Sequence, residues 1–180
     1  MTEFSTSVTV CMIYRFFLWR GLCVLFAFLL WILPLGQSAD ADGISRYVRY
    51  NLQASEPVSM VLDEAGNTRE FSPQSLERGQ QLFDESCLFC HLRGANVPFP
   101  SVSLSLEDLA GATPPRDNIA GFVAYMREPM TYDGSDYTPW CRQVPESWMS
   151  SEQIEDLAAF VIRAAQKDET WGVRTVEVNL

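Results

Sequence analysis

The sequence predicts an all-α domain that carries one small β-hairpin and follows an apolar N-terminal leader. Three observations lead there. Apolar residues recur at helical spacing in three stretches beyond residue 72. The only strand signal is a pair of short β-prone runs around a Gly-Asn turn. Of the 20 residues from 16 to 35, 17 are apolar.

The leader comes first. Arg15 and Arg20 precede or interrupt the start of the apolar run, residues 21–35 are uncharged, and Ala39 and Ala41 supply a small-residue exit. A basic start, an apolar middle and an Ala-x-Ala-like end describe an export signal, cut after Ala39 or Ala41. The competing reading is an uncleaved anchor, for which the uncharged run is short against the roughly 20 residues of a full span. The expected organisation is therefore a signal peptide over 1–41, an N-terminal extension over 42–71 and a helical domain over 72–180. Removing 1–41 takes Glu3, Asp40, Arg15 and Arg20 together, so the net charge stays at −10.

Residues 42–57 are mixed in character and are assigned little structure. Residues 58–62 and 68–71 flank Asp63-Glu64-Ala65-Gly66-Asn67 and read as the hairpin. Ser72-Pro73 opens a helix, because Ser72 can cap and Pro73 at the first helical position loses no needed N–H. Leu76, Gly79, Leu82 and Phe83 share one face of this helix, which runs to about Ser86. A Pro- and Ser-rich loop follows over 92–104. Ser105-Leu106-Glu107-Asp108 reads as a capping box for a short helix ending before Gly111. A further helix, from about Asp117 to Arg127, places Ile119, Phe122, Val123 and Met126 on one face, and Pro129 stops it. Residues 130–148 are a loop. The last helix starts near Ser150, with Gln153 as reciprocal cap, carries Ile154, Leu157, Ala158, Val161 and Ala165, and ends near Lys167.

Composition excludes several functions. A net charge of −10 and an isoelectric point near 4.5 leave no Lys/Arg cluster for phosphates, so nucleic acid is not a partner. The single histidine, His91, precludes any site needing two. The five cysteines are odd in number, and Cys11 and Cys23 lie in the leader, which leaves Cys87, Cys90 and Cys141. No acid–base pair or substrate pocket is legible, and an enzyme is not expected.

Cys87-Leu88-Phe89-Cys90-His91 has the spacing of covalent c-type haem attachment. Two thiols two residues apart can reach the two vinyl groups on one porphyrin edge, and the next residue, His91, then supplies the proximal nitrogen. A thioredoxin-like Cys-x-x-Cys wants a βαβ setting, which is absent from the pattern. A Cys₃His zinc site would need adjacent Cys90 and His91 to turn onto one tetrahedral ion together with Cys87 and Cys141. One haem c per chain is the reading that fits. With no second histidine, the sixth ligand must be another group. Met126 fits the core stripe, Met149 stands just before the last helix, and Cys141 is the leftover cysteine. Residue chemistry leaves Met149, Cys141 and other groups open.

Several stretches resemble the extrinsic cytochrome c-550 family of cyanobacterial photosystem II. They are residues 71–79, Cys87-x-x-Cys90-His91-Leu92, residues 112–119 (Ala-Thr-Pro-Pro-Arg-Asp-Asn-Ile), Thr131-Tyr132-Asp133-Gly134 and Trp171-Gly172. The resemblance covers most of 56–172. It implies a class I cytochrome c fold with an N-terminal hairpin extension. It also implies a place in the thylakoid lumen, peripheral to the membrane, at the photosystem II donor side beside the oxygen-evolving cluster. The family's haem has two histidine ligands and a low potential. Counting on from Gly134, the second histidine falls on or beside Cys141, a substitution similar to that of the cytochrome c-550-like paralogues. The resemblance therefore implies Cys87 and Cys90 as haem attachments, His91 as proximal ligand and Cys141 as distal ligand, with Met149 next. Residues 173–180 do not resemble the family's Gly-rich, Tyr-ended tail.

Three functions follow as expectations: a lumenal electron carrier serving photosystem II or a soluble redox partner; a mainly structural photosystem II subunit; and a haem-thiolate redox sensor, in which a displaceable Cys141 opens the iron. The acidic surface suits docking to a basic partner.

Overall fold

The computed structural model describes residues 43–95 and 102–173, all within the unit Asp42–Leu180. The expected export signal lies outside the described residues. Among those described, no helix is long and apolar enough to cross a membrane.

The described chain is mostly helical with one two-stranded antiparallel sheet. Strands β1 (Val58–Val61) and β2 (Thr68–Phe71) pair with Val58 opposite Phe71 and Val61 opposite Thr68. The turn between them is built by Asp63, whose carboxylate accepts from the Ala65 and Asn67 backbone N–H groups and from the Asn67 side chain. Gly66 supplies the positive φ of +81° that closes it. Met60 and Phe71 give the hairpin its buried face.

Residues 42–57 depart from expectation. Tyr47–Asn51 forms one π-helical turn, and Val48 and Leu52 are fully buried. Ile44, Val48 and Leu52 stand four apart, which is the amphipathic signal, but the stretch is too short and lacks a side-chain cap to announce a helix. It is held from outside: Arg163 donates to the Leu52 and Gln53 carbonyls, Tyr47 donates to Asp168 at 2.7 Å, and the Ser45 N–H donates to Glu77.

Helix α1 (Pro73–Ser86) begins as expected, with the Ser72 hydroxyl accepting from the Ser75 N–H. Helix α4 (Ser151–Lys167) has the reciprocal Ser150–Gln153 capping box. These two helices make the main contact of the fold. They approach at Gly79, where a Cβ would press on the Asp156 carbonyl and come within 2.7 Å of the Phe160 Cβ. Glycine is present because the α4 backbone leaves room for a hydrogen only. Around the crossing, Phe83, Phe160 and Trp171 pack with ring centroids 5.1–5.7 Å apart. Arg78 on α1 holds the nearly buried Asp156 of α4 at 2.8 Å.

Helix α2 (Leu106–Gly111) is capped by the Ser105 hydroxyl, but only half of the expected box forms. Asp108 turns instead to the Ser103 N–H and hydroxyl, and the Ser103 hydroxyl in turn accepts from the Ser105 N–H. Helix α3 (Ile119–Arg127) starts two residues later than expected, because Asn118 is its cap. Ile119, Phe122 and Met126 are buried against the core, and the Ala120 N–H ties α3 to the hairpin through Leu62.

The candidate haem site

Helix α1 delivers the attachment motif. Cys87 is its C-cap, and the Cys90 and His91 N–H groups both return to the Cys87 carbonyl, at 3.1 and 2.9 Å. The motif is thus one compact turn continuing the helix. Beyond it the chain reverses through Arg93 and Gly94, with φ of +52° and +76°. A Cβ on Gly94 would lie 2.6 Å from the Trp171 ring, so the indole sets the path of the chain just after His91. Trp171 is itself anchored, its indole N–H donating to the Leu104 carbonyl at 3.0 Å.

Cys141 arrives from the far side of the sequence. Its loop is pinned to the end of α3: the Val144 N–H donates to the Met126 carbonyl, the Gln143 amide donates to the Arg127 carbonyl, and Arg127 donates to the carbonyls of Val144 and Met149. This places Cys141 within electrostatic reach of Cys87 and Cys90. The Cys87 thiol is pushed up to about 12 by burial, reinforced by its two neighbouring sulfurs. Burial also pushes the Cys141 thiol up, while a hydrogen bond with Tyr125 and the nearby Arg116 cation act in the opposite direction. None of Cys87, Cys90 and Cys141 is paired in a disulfide.

The surroundings fit a large, flat, apolar cofactor. The His91 Nδ1 is withdrawn from solvent. Leu88, Phe89 and Leu92 around the motif and Trp140 beside Cys141 are exposed, Phe89 to 96% and Trp140 to 92%. Scattered exposed apolar residues are ordinary, but a group of them flanking one set of thiols marks a binding site. The zinc reading needs several donors on one ion, and among the described residues no three His, Cys, Asp or Glu side chains are placed to hold one.

Of the sequence candidates, Cys87, Cys90 and His91 share one turn, and Cys141 lies near enough to Cys87 and Cys90 for their charges to interact. Met149 is 2% exposed and belongs to the buried core, against which Cys87 and Cys141 also pack. Met126 is core as expected. Two residues escaped the sequence reading, Arg116 and Tyr125. Arg116 is only 8% exposed, and its guanidinium lies 3.8 Å from the Tyr125 ring centroid. The signal for Tyr125 was its position three residues beyond Phe122, beside but not on the apolar stripe of α3.

Residues 51–178 match the cytochrome c-550 domain family. The cytochrome c-550-like protein of Trichodesmium erythraeum is 51% identical over 133 residues, covering 74% of this chain and 81% of that one. The photosystem II extrinsic protein V of Gloeobacter violaceus is 46% identical over 147 residues, covering 80% and 79%. The crystal structure of the PsbV2 cytochrome of Thermosynechococcus elongatus superposes with a TM-score of 0.71 at 47% identity, covering 72% of this chain and 99% of that one.

Proposed function

Because the chain belongs to the cytochrome c-550 family, we propose that it is a low-potential monohaem cytochrome of the thylakoid lumen whose iron is held by His91 and Cys141. The cofactor is haem c, covalently bound. It supplies a one-electron ferric/ferrous couple. The chain's own residues do the rest. Cys87 and Cys90 are the thioether attachments, on the turn that caps α1. His91, the next residue, is the proximal ligand. Cys141 is the distal ligand, and its sulfur, a stronger donor than an imidazole, favours the ferric state and lowers the potential. The domain is of the class I cytochrome c kind with an N-terminal hairpin extension, reached after removal of a signal peptide over 1–41.

What supports this reading is that Cys141, on a loop pinned to α3, lies near enough to Cys87 and Cys90 for their charges to interact, while Met149 is buried in the core. The test is electron paramagnetic resonance of the oxidised, haem-loaded protein. A low-spin ferric signal is expected, and Cys141→Ala should abolish or shift it. An unchanged signal in Cys141→Ala would sink the assignment.

The likeness to a photosystem II extrinsic protein favours one companion reading, in which the chain docks on the lumenal, donor-side face of photosystem II, peripheral to the membrane, with its haem mainly structural. A net charge of −10 suits a basic docking face in either case. A carrier exchanges electrons with a soluble partner at rates that fall steeply with salt. A docked subunit co-purifies with photosystem II and restores oxygen evolution to complexes stripped of their extrinsic cytochrome.

A further inference from the structure

The loop that carries Cys141 leaves the end of α3 and returns to it. At its start the Thr138 N–H donates to the Pro129 carbonyl at 3.0 Å, and at its end the Val144 N–H donates to the Met126 carbonyl at 2.9 Å. Thr138 and Val144 are both buried. Five residues lie between these anchors, and Cys141 is the middle one, three positions from each. An extended chain gains at most about 3.6 Å per residue, so Cys141 can stand no more than about 11 Å from either anchor. Pro139 and Pro145 stiffen the two limbs by fixing φ.

The returning limb carries a latch. Arg127, the last residue of α3, donates through Nη1 to the Val144 carbonyl at 2.8 Å and the Met149 carbonyl at 3.0 Å, and through Nη2 to Glu146 at 2.6 Å. The Arg127 carbonyl in turn accepts from the Gln143 amide at 2.9 Å. Glu146 also accepts from the Ser151 N–H at 3.0 Å, which carries the latch on to the start of α4. The contact of the Cys141 sulfur with the Arg142 carbonyl, at 3.9 Å, turns back onto the same loop and cannot anchor it.

We infer that Arg127 and Gln143 are positioning residues that hold the Cys141 loop down on α3, so that the distal ligand cannot swing away and admit a ligand from solution. The inference rests on Cys141 being that ligand. For the sulfur to make room, the loop must lift from α3, which breaks the Gln143 bond and takes the Val144 carbonyl from the Arg127 guanidinium. Hydrogen bonds from a cation resist such a loss more than neutral ones do. The latch keeps the sixth position closed, as an electron carrier needs, where a sensor would have to open it.

Cyanide binding to the oxidised, haem-loaded protein tests this. At saturating cyanide the rate, followed by the Soret band, reports how often the loop opens. Gln143→Ala should raise it roughly two- to tenfold and Arg127→Gln roughly ten- to hundredfold, for the loss of one neutral and of several charged hydrogen bonds. Arg127→Lys, which keeps the charge but not the planar fork, should fall between wild type and Arg127→Gln. All three should keep the low-spin signal at rest. Arg163→Gln is the control: it removes a similar pair of carbonyl contacts, to Leu52 and Gln53, away from this loop, and should leave the rate unchanged. Equal acceleration in Arg163→Gln means that general stability sets the rate and overturns the inference. If Arg127→Gln does not load haem, Gln143→Ala decides in its place. Unchanged rates in the variants that load, with Cys141→Ala altering the low-spin signal, overturn the inference and leave the ligand assignment standing. An unaltered signal in Cys141→Ala overturns both.

Discussion

Gly79→Ala is a sharp test of the packing that supports the site. The perturbation is one methyl group at the α1–α4 crossing. That carbon would sit 2.7 Å from the Phe160 Cβ and 2.7 Å from the Asp156 carbonyl carbon, and nearer still to the carbonyl oxygen. Comfortable carbon–carbon contact is about 3.5–4.0 Å, so the helices would have to part by roughly 1 Å. The obstruction is backbone, which cannot rotate aside. Alanine gains about 1 kcal/mol over glycine in helix propensity. Overpacking a tight core costs about 1–3 kcal/mol, and the upper end applies here because the Phe83–Phe160 contact, with centroids 5.5 Å apart, is disturbed as well. The net expectation is a loss of about 2 kcal/mol. For a domain of this size that lowers the melting temperature by roughly 8 °C. Calorimetry of the haem-loaded protein measures it, with the exposed α1 substitution Gln74→Ala as the control expected to stay within about 0.5 kcal/mol. If Gly79→Ala melts at or above the wild-type temperature, propensity has won and the close crossing is not what stabilises this domain.

Two further expectations concern stability. Tyr47 is raised above its ordinary value of 10.0 by burial and then by its hydrogen bond to Asp168. Asp168 is itself held low: burial pushes it up, but hydrogen bonds from Thr170 and Tyr47 outweigh that. A tyrosine whose folded-state value is raised contributes stability that is fully present below about pH 10 and is lost as pH rises above it. Denaturant unfolding at pH 9 and pH 11 should show a larger alkaline loss in wild type than in Tyr47→Phe, and equal losses would refute the link. Arg78→Ala should cost about 1–3 kcal/mol, because it strands Asp156, whose side chain is 5% exposed. Glu146→Gln, which weakens the more open Arg127–Glu146 pair, should cost about 0–1 kcal/mol. Paired thermal melts compare the two, and an equal effect would count against the burial argument.

Much of the helical frame is legible in the sequence, because its signals are local. Ser72-Pro73 and Ser150-x-x-Gln153 announce α1 and α4 through their caps, and both helices begin where those residues say. The hairpin is equally local, since Asp63, Gly66 and Asn67 build its turn. What stayed hidden is what other segments decide. The π-helical turn at Tyr47–Asn51 depends on Arg163 and Asp168, more than 100 residues away. Asp108 leaves its expected capping role because Ser103 offers two hydrogen bonds at 2.7 and 2.6 Å. For the site, the single histidine left the sixth ligand open among Met149, Cys141 and other groups, and it was the family resemblance that pointed to Cys141. Tyr125 stands beside the apolar stripe of α3, but its pairing with Arg116 is not legible in the sequence, because that ring contact joins a loop to the helix.

Trp171 and Gly172 give the molecule an order of assembly. The Gly172 N–H donates to the Arg93 carbonyl at 2.7 Å, and the Trp171 ring occupies the space above Gly94 that no side chain could share. The path of the chain just beyond the histidine is therefore set by residues some 80 positions later, and α1 meets α4 across a similar interval, 78 residues between Arg78 and Asp156. Such distant pairings form slowly, because the long loop between them must close first. A nascent chain that has reached only Trp140 has every residue of the attachment motif and its local turn, but not the Trp171 and α4 contacts that fix the motif in the fold. The motif can be recognised early in synthesis, yet its final shape waits for the end of the helical domain to arrive.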